Sequence, residues 1–216
     1  MTNCILMRPI IQEALEKFSG QDVFIVGGGN SLKNFDFGLL SDKKVIAINA
    51  AYRNVGADAM LFWCDGGWVA ENERGLKDHP SKLRFMPIIN ADVAIKKNLT
   101  GPSASYYLKR TGDHGYDPNI DNVKGNNSGC MAINFALNLK PRRIILLGFD
   151  LGYVAGKSHY HDHHTTITQR NVYDDLFMTS FNALAEQSKY LGIEIINCSL
   201  ESKLKSFTIG DISKFI

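Results

Sequence analysis

The sequence predicts an α/β protein built as one Rossmann-like domain over residues 1–216, a doubly wound, mostly parallel sheet with a short lid loop at about residues 151–170. Three observations predict it. Apolar runs of strand length alternate with helical stretches. Most of these runs are apolar on both faces, as strands covered by helices on each side must be. The first run is followed at once by a glycine-rich turn, Gly27-Gly28-Gly29-Asn30-Ser31-Leu32.

The elements follow in order. Pro9 to Phe18 reads as a short amphipathic helix with Ile10, Ile11, Leu15 and Phe18 as its apolar positions, and Gly20 ends it. Asp22 to Val26 is a β-branched and aromatic strand. Val45 to Ile48 is a second buried strand, ending at Asn49, and Met60 to Trp63 a third, ending at Cys64-Asp65. Trp68 to Leu76 reads as a helix and Leu83 to Ile89 as another strand. The middle, Asn90 to Asn127, is irregular, with Gly101-Pro102, Gly112, Gly115, Asp117-Pro118 and Gly125-Asn126-Asn127, and one short strand is expected at Ala104 to Leu108. A long excursion of this kind inside a compact domain is often functional. Ser128 is expected to cap an apolar helix carrying Met131, Ile133, Phe135, Ala136 and Leu137. Arg143 to Gly148 is the next buried strand, ending at Phe149-Asp150, with a polar loop, Gly152 to Thr168, after it. Asn171 to Leu191 reads as one long helix closed by Gly192, and Ile193 to Ile196 as a last strand ending at Asn197-Cys198-Ser199.

Composition narrows the function classes. With 44% hydrophobic and 21% charged residues the chain is neither disordered nor fibrous. Lys and Arg number 24 against 22 Asp and Glu, a net charge of +2, which gives no electrostatic case for a nucleic-acid binder or a membrane-surface binder. No apolar run approaches the ~20 residues of a membrane span. Cys4, Cys64, Cys130 and Cys198 form no CxxC pair, so free thiols in a reducing compartment are expected rather than structural zinc or disulfides. The charged N-terminal stretch does not resemble a secretory signal, and a cytoplasmic location is expected.

Ligands of doubly wound sheets bind beyond the carboxyl ends of the strands. In this sequence those ends are Gly27 to Ser31, Asn49, Asp65, Asp150 with its loop, and Asn197 to Ser199. The glycine turn lets a ligand approach the backbone and can offer amides to phosphate. It is not GxGxxG, because Leu32 stands at the third glycine's place, and no Lys-Ser/Thr pair makes it a P-loop. Asn126-Asn127-Ser128-Gly129 opens a helix whose first amides carry partial positive charge, and Ser128 adds a hydroxyl; capping alone would also explain them. Four of the six histidines, His159, His161, His163 and His164, crowd into six residues with Asp162. An imidazole there can act as a general base, and an extended segment would place His159, His161 and His163 on one face as metal ligands; a solvated His-rich loop is the bland alternative.

These residues resemble a known family. Val26 to Leu32 followed by Phe35-Asp36-Phe37 is similar to the opening block of the bacterial sialyltransferases typified by the Campylobacter lipooligosaccharide enzymes. Ser128-Gly129 with its helix, then Ile144 to Asp150, resembles their second block, and Ser158-His159-Tyr160-x-x-His163 matches a third, Ser-His-Tyr-x-x-His. The wider group includes flagellin glycosylation factors and an archaeal 6-hydroxymethylpterin diphosphokinase. The likeness spans roughly residues 22–208, with only the three blocks specific. It implies that Asn49 and Ser128 contact the nucleotide and that His163 deprotonates the acceptor hydroxyl. It also implies two tyrosines on the leaving phosphate, for which Tyr153 is one place out of register and Tyr160 a spatial candidate. Gly28 replaces an asparagine of the family pattern and Asp65 another. The family's lid is much longer than the stretch 151–162 that separates Asp150 from His163 here.

Three functions are therefore expected as alternatives. The first is an inverting glycosyltransferase of sialyltransferase type. It would use a nucleotide-sugar donor of the CMP-sugar kind and a small-molecule or glycan acceptor, with no cofactor. His163, Tyr153 and Tyr160 would be catalytic. The nucleotide would lie on Gly27, Gly28, Gly29, Asn30, Ser31, Asn49, Asp65, Asn127, Ser128, Gly129 and Asp150. The second is a Mg2+-dependent diphosphokinase or other phosphotransferase of the same fold. Asp65 and Asp150 would join His159, His161 and Asp162 as the candidate metal ligands. The third is a non-catalytic nucleotide-binding module. A short lid can also be completed by a neighbouring subunit, which allows a homo-oligomer.

Overall fold

The computed structural model describes residues 9–88, 106–160 and 172–216. Helix α1 (Pro9–Phe18) buries Ile11, Ala14 and Phe18, a stripe with helical spacing. Nine strands follow, with helices between them: β1 (Asp22–Val26), β2 (Lys44–Ile48), β3 (Met60–Phe62), α2 (Gly66–Asp78), β4 (Arg84–Ile88), β5 (Tyr106–Gly112), β6 (Asn122–Lys124), α3 (Ser128–Asn138), β7 (Arg143–Leu147), α4 (Met178–Ser188), β8 (Glu194–Asn197) and β9 (Thr208–Ile209). They form one sheet in the order β6-β5-β4-β3-β2-β1-β7-β8-β9. Every neighbouring pair is parallel. The fold is thus α/β and Rossmann-like, as the alternation of elements predicted.

Both faces of the sheet are covered, and successive residues alternate between the two layers. Val23, Ile25, Ile46, Met60, Phe62, Phe85, Ile144 and Leu146 pack into one core with α1, α3 and α4. Phe24, Val26, Val45, Ala47, Leu61, Met86, Ile145 and Leu147 pack into a second, with α2 and the 3-10 turns at Asn30–Leu32 and Asn49–Asn54. In the first core, Phe135 of α3 lies 4.6 Å from the Phe85 ring centroid and 6.3 Å from that of Phe62.

Chain order runs outward from β1 in both directions, through β2 to β6 on one side and β7 to β9 on the other. The reversal opens a crevice beyond the carboxyl ends of β1 and β7, where doubly wound sheets take their ligands. Val26 pairs with Leu147 at the last rung below it.

Three expectations change. The expected strand at Ala104 to Leu108 is β5, which runs on to Gly112 through the polar residues Lys109, Arg110 and Thr111, and a further short strand, β6, pairs beside it. The excursion between them is fixed from α3, where Asn134 and Asn138 donate to the carbonyls of Gly115 and Asp117. The expected helix Asn171 to Leu191 is three pieces: a π-helical turn Val172–Phe177, then α4, then a 3-10 turn Lys189–Leu191 stopped by Gly192 at φ +67°. The third change is β9, which is only two residues long and owes its place to pairing with Ile196 and Asn197. No helix among the described residues is long and apolar enough to cross a membrane.

Candidate functional site

A cavity of about 400 Å3 occupies the crevice. Gly27, Gly28, Gly29, Asn49, Asp65, Asn127 to Gly129 and Asp150 line it, together with Ile48, Cys64, Ser158, His159, Phe177 and Phe181, whereas Asn30 and Ser31, also expected on the nucleotide, do not. Parallel strands bring these positions together, because every strand in the sheet ends on the same side.

Close approach dictates the glycine turn. A Cβ on Gly27 would sit 2.8 Å from the Gly148 carbonyl oxygen, and one on Gly29 would sit 2.6 Å from both that oxygen and the Asp150 carboxyl carbon. The turn is laced to β7 through its amides. Gly27 donates to the Leu147 carbonyl at 2.8 Å, Gly29 to Gly148 at 2.9 Å, and Ser31 to Asp150 Oδ2 at 2.8 Å. Three of the amides expected to face a phosphate are therefore spent inside the protein. The backbone of Gly28 instead holds the following loop, its carbonyl accepting from the Tyr160 amide at 3.1 Å.

Asp150 is buried and gives both oxygens to Ser31, Oδ1 accepting from the hydroxyl at 2.5 Å. It thus ties β1 to β7. Asp65 caps α2, its Oδ1 accepting from the amides of Gly67 and Trp68 at 2.8 and 3.1 Å. Asn127, not Ser128, caps α3, with its Oδ1 accepting from the Cys130 amide at 2.9 Å. Ser128 is then the first helical residue. Its hydroxyl lies 2.9 Å from Cys64 Sγ. Burial pushes the Cys64 thiol up to about 11, so this pair is a neutral thiol against a neutral hydroxyl. Arg110 of β5 braces the approach to α3 by donating from Nε to the Gly125 carbonyl at 2.8 Å.

Asn49 lines the cavity from the end of β2. It adopts φ +49°, a left-handed conformation that asparagine tolerates better than most residues. Its Oδ1 is buried with no hydrogen-bond partner among the described residues. An orphaned buried acceptor costs roughly 1–3 kcal/mol unless something donates to it. Asn30, also buried, spends its Nδ2 on the Val154 carbonyl at 2.9 Å and so pins the loop after β7 to the glycine turn.

The expected tyrosines do not line the cavity. Tyr160 turns to the other core, with its ring 5.8 Å from that of Phe37 and its hydroxyl accepting from Asn54 Nδ2 at 2.8 Å. Tyr153 packs against the first core. The imidazole that does line the cavity is His159, its Nδ1 within 2.9 Å of Ser158 Oγ. His161, Asp162 and His163 lie outside the described residues. Among the described residues no group of three or more His, Cys, Asp or Glu side chains is placed to hold a metal ion.

Asn126, named with the opening of α3, also lines the cavity, whereas Cys64, Ser158, Phe177 and Phe181 were not expected to. Cys64 and Ser158 carried a signal, since one ends β3 and the other opens the His-rich motif. Phe177 and Phe181 did not, because their helical spacing is that of core residues. No family model matches the chain, and no curated protein matches it.

Proposed function

We propose that this protein binds a nucleotide-sugar of the CMP-sugar type in the cavity at the β1–β7 crevice and transfers the sugar to an acceptor hydroxyl with inversion. The observation that carries the reading is the buried Oδ1 of Asn49, without a hydrogen-bond partner among the described residues, at a cavity of about 400 Å3 where strand order reverses. That volume suits a mononucleotide. An acceptor such as Asn49 Oδ1 suits the N–H or O–H groups of a nucleoside. The three sequence blocks shared with the sialyltransferase-like group favour a sugar donor over a bare nucleotide.

In the proposed reaction the acceptor oxygen attacks the anomeric carbon and gives its proton to His163, the residue that the sequence motif assigns as base. The bond from that carbon to the phosphate oxygen breaks, and its electron pair leaves on the phosphate. General-base help of this kind contributes ~10²–10⁴-fold.

The test is a thermal-shift screen of CMP, UDP, GDP and ATP and their sugar derivatives, with and without Mg2+, followed by product analysis with the nucleotide-sugar that binds. The expected result is stabilisation by a cytidine nucleotide without Mg2+, with transfer that survives EDTA and is largely lost in His163→Ala while nucleotide binding persists. Stabilisation by ATP only with Mg2+ would point to the phosphotransferase alternative. Binding without turnover on any acceptor would leave a nucleotide-binding module.

A further inference from the structure

We propose that His159 is the group that receives the anionic phosphate of the ligand, in the role that the sequence motif gives to Tyr153 and Tyr160. The inference rests on the nucleotide reading above and adds to it a binding residue.

The argument is a census of charge. The lining contains two carboxylates, Asp65 and Asp150, and a thiol, Cys64, whose raised value of about 11 keeps it neutral. Both carboxylates are turned to structural work, on the α2 amides and on Ser31 respectively. Among the described lining residues, His159 is the one side chain able to carry positive charge. Anions need such a partner or a convergence of backbone donors. Three of the five amides from Gly27 to Ser31 are spent on Leu147, Gly148 and Asp150. The amino end of α3 also borders the cavity, with its first residues Ser128 and Gly129 in the lining, and a helix start favours negative charge.

His159 and this helix start therefore offer an imidazole and a dipole to the same space. Neither expected tyrosine can take the place without leaving its packing, because the Tyr160 hydroxyl is engaged by Asn54 and Tyr153 lies on the first core. Ser158 Oγ, 2.9 Å from Nδ1, fixes the ring's rotation.

Two ligands that differ only in the phosphate test this: CMP and cytidine, titrated by calorimetry with EDTA present throughout. His159→Gln is expected to weaken CMP about ten- to a hundredfold, the loss of one charge-assisted bond, and to leave cytidine unchanged. The His159 ring resonances, assigned by through-bond experiments on the isotope-labelled wild type, should move on adding CMP and stay on adding cytidine. That second measurement keeps its value if the variant folds poorly. CMP affinity unchanged in His159→Gln, or His159 resonances indifferent to CMP while it binds, overturns the assignment and leaves the nucleotide reading intact. CMP binding that disappears in EDTA assigns the phosphate to a metal ion instead and also overturns it. Failure of both ligands to bind the wild type removes the nucleotide reading and this inference together.

Discussion

Ser31 and Asp150 meet twice across the central seam of the sheet, with the Ser31 amide 2.8 Å from Oδ2 and its hydroxyl 2.5 Å from Oδ1. Ser31 lies within the 3-10 turn after β1, and Asp150 stands three residues beyond the end of β7. Asp150 lines the cavity, so their two bonds hold one of its lining residues in place. Asp150→Ala should remove the acceptor of the Ser31 amide and leave the hydroxyl only its 3.4 Å contact with Ser199 Oγ, in a half-buried setting, at about 1–2 kcal/mol. Ser31→Ala should cost less, because the amide still donates to the carboxylate. In a double-mutant cycle by urea denaturation the pair should show a coupling of about 1 kcal/mol or more; additive losses would mean that the two act separately.

Gly29 and Gly56 make a paired comparison. A Cβ on Gly29 meets the Gly148 carbonyl oxygen and the Asp150 carboxyl carbon at 2.6 Å, whereas one on Gly56 meets nothing within 4 Å. Gly29→Ala should therefore lose about 1–3 kcal/mol and the ligand response with it. Gly56→Ala should be neutral or slightly stabilising through the unfolded chain. Thermal melting resolves the difference, at about 2–4 °C per kcal/mol in a chain of this size.

The thiols set an alkaline limit. Burial lifts Cys64 and Cys198 to about 11 and Cys130 to about 12, against an ordinary value of 9.0. A raised value means that the folded state holds its proton more tightly than the unfolded one. The stability this contributes is complete below pH 9, falls as pH rises through 9 to 11 or 12, and is then lost. Melting temperature should drop across that window, and replacing Cys130 with alanine should reduce the slope. Cys64 should alkylate slowly with iodoacetamide at pH 8 in the native protein and readily in urea.

The turn from Val154 to Lys157 is closed by two backbone bonds, of 3.0 and 3.1 Å, and carries Ala155 at φ +48° and Gly156 at φ +79°. Two positive φ values in succession favour Asn-Gly. Ala155→Asn should raise stability by roughly 1 kcal/mol. Unchanged melting would show that this turn contributes nothing to the folding equilibrium.

Much of this architecture was legible because burial on both faces leaves a plain mark. β1, β2 and β7 are continuous apolar runs, and their polar ends Gly27 to Ser31, Asn49 and Asp150 could be named as one site before any coordinates. The outer strands could not be read in the same way. β5 continues through Lys109-Arg110-Thr111, and β9 is a strand only because Ile196 and Asn197 lie beside it. Within the site, residue type located each group but not its employment. Whether Asp150 faces a ligand or Ser31, and whether Cys64 meets Ser128, depends on strand register between segments far apart in sequence. Tyr160 shows the same limit: the motif gives its place in the chain, but packing on Phe37 and the bond from Asn54 decide where its hydroxyl goes.

The seam between β1 and β7 also governs when the cavity can exist. Its register joins Asp22 to Arg143 and Val26 to Leu147, so most of the chain must be looped out before these strands can touch. Loop closure of this length is entropically costly, and contacts so remote in sequence form slowly. β1 through β6 can assemble as neighbours without it, as can β7 with β8. The two parts of the sheet can thus precede the crevice, which comes into being only when they dock. Any ligand of the crevice would report that last event, and one present during refolding would act on the docked product rather than on either part.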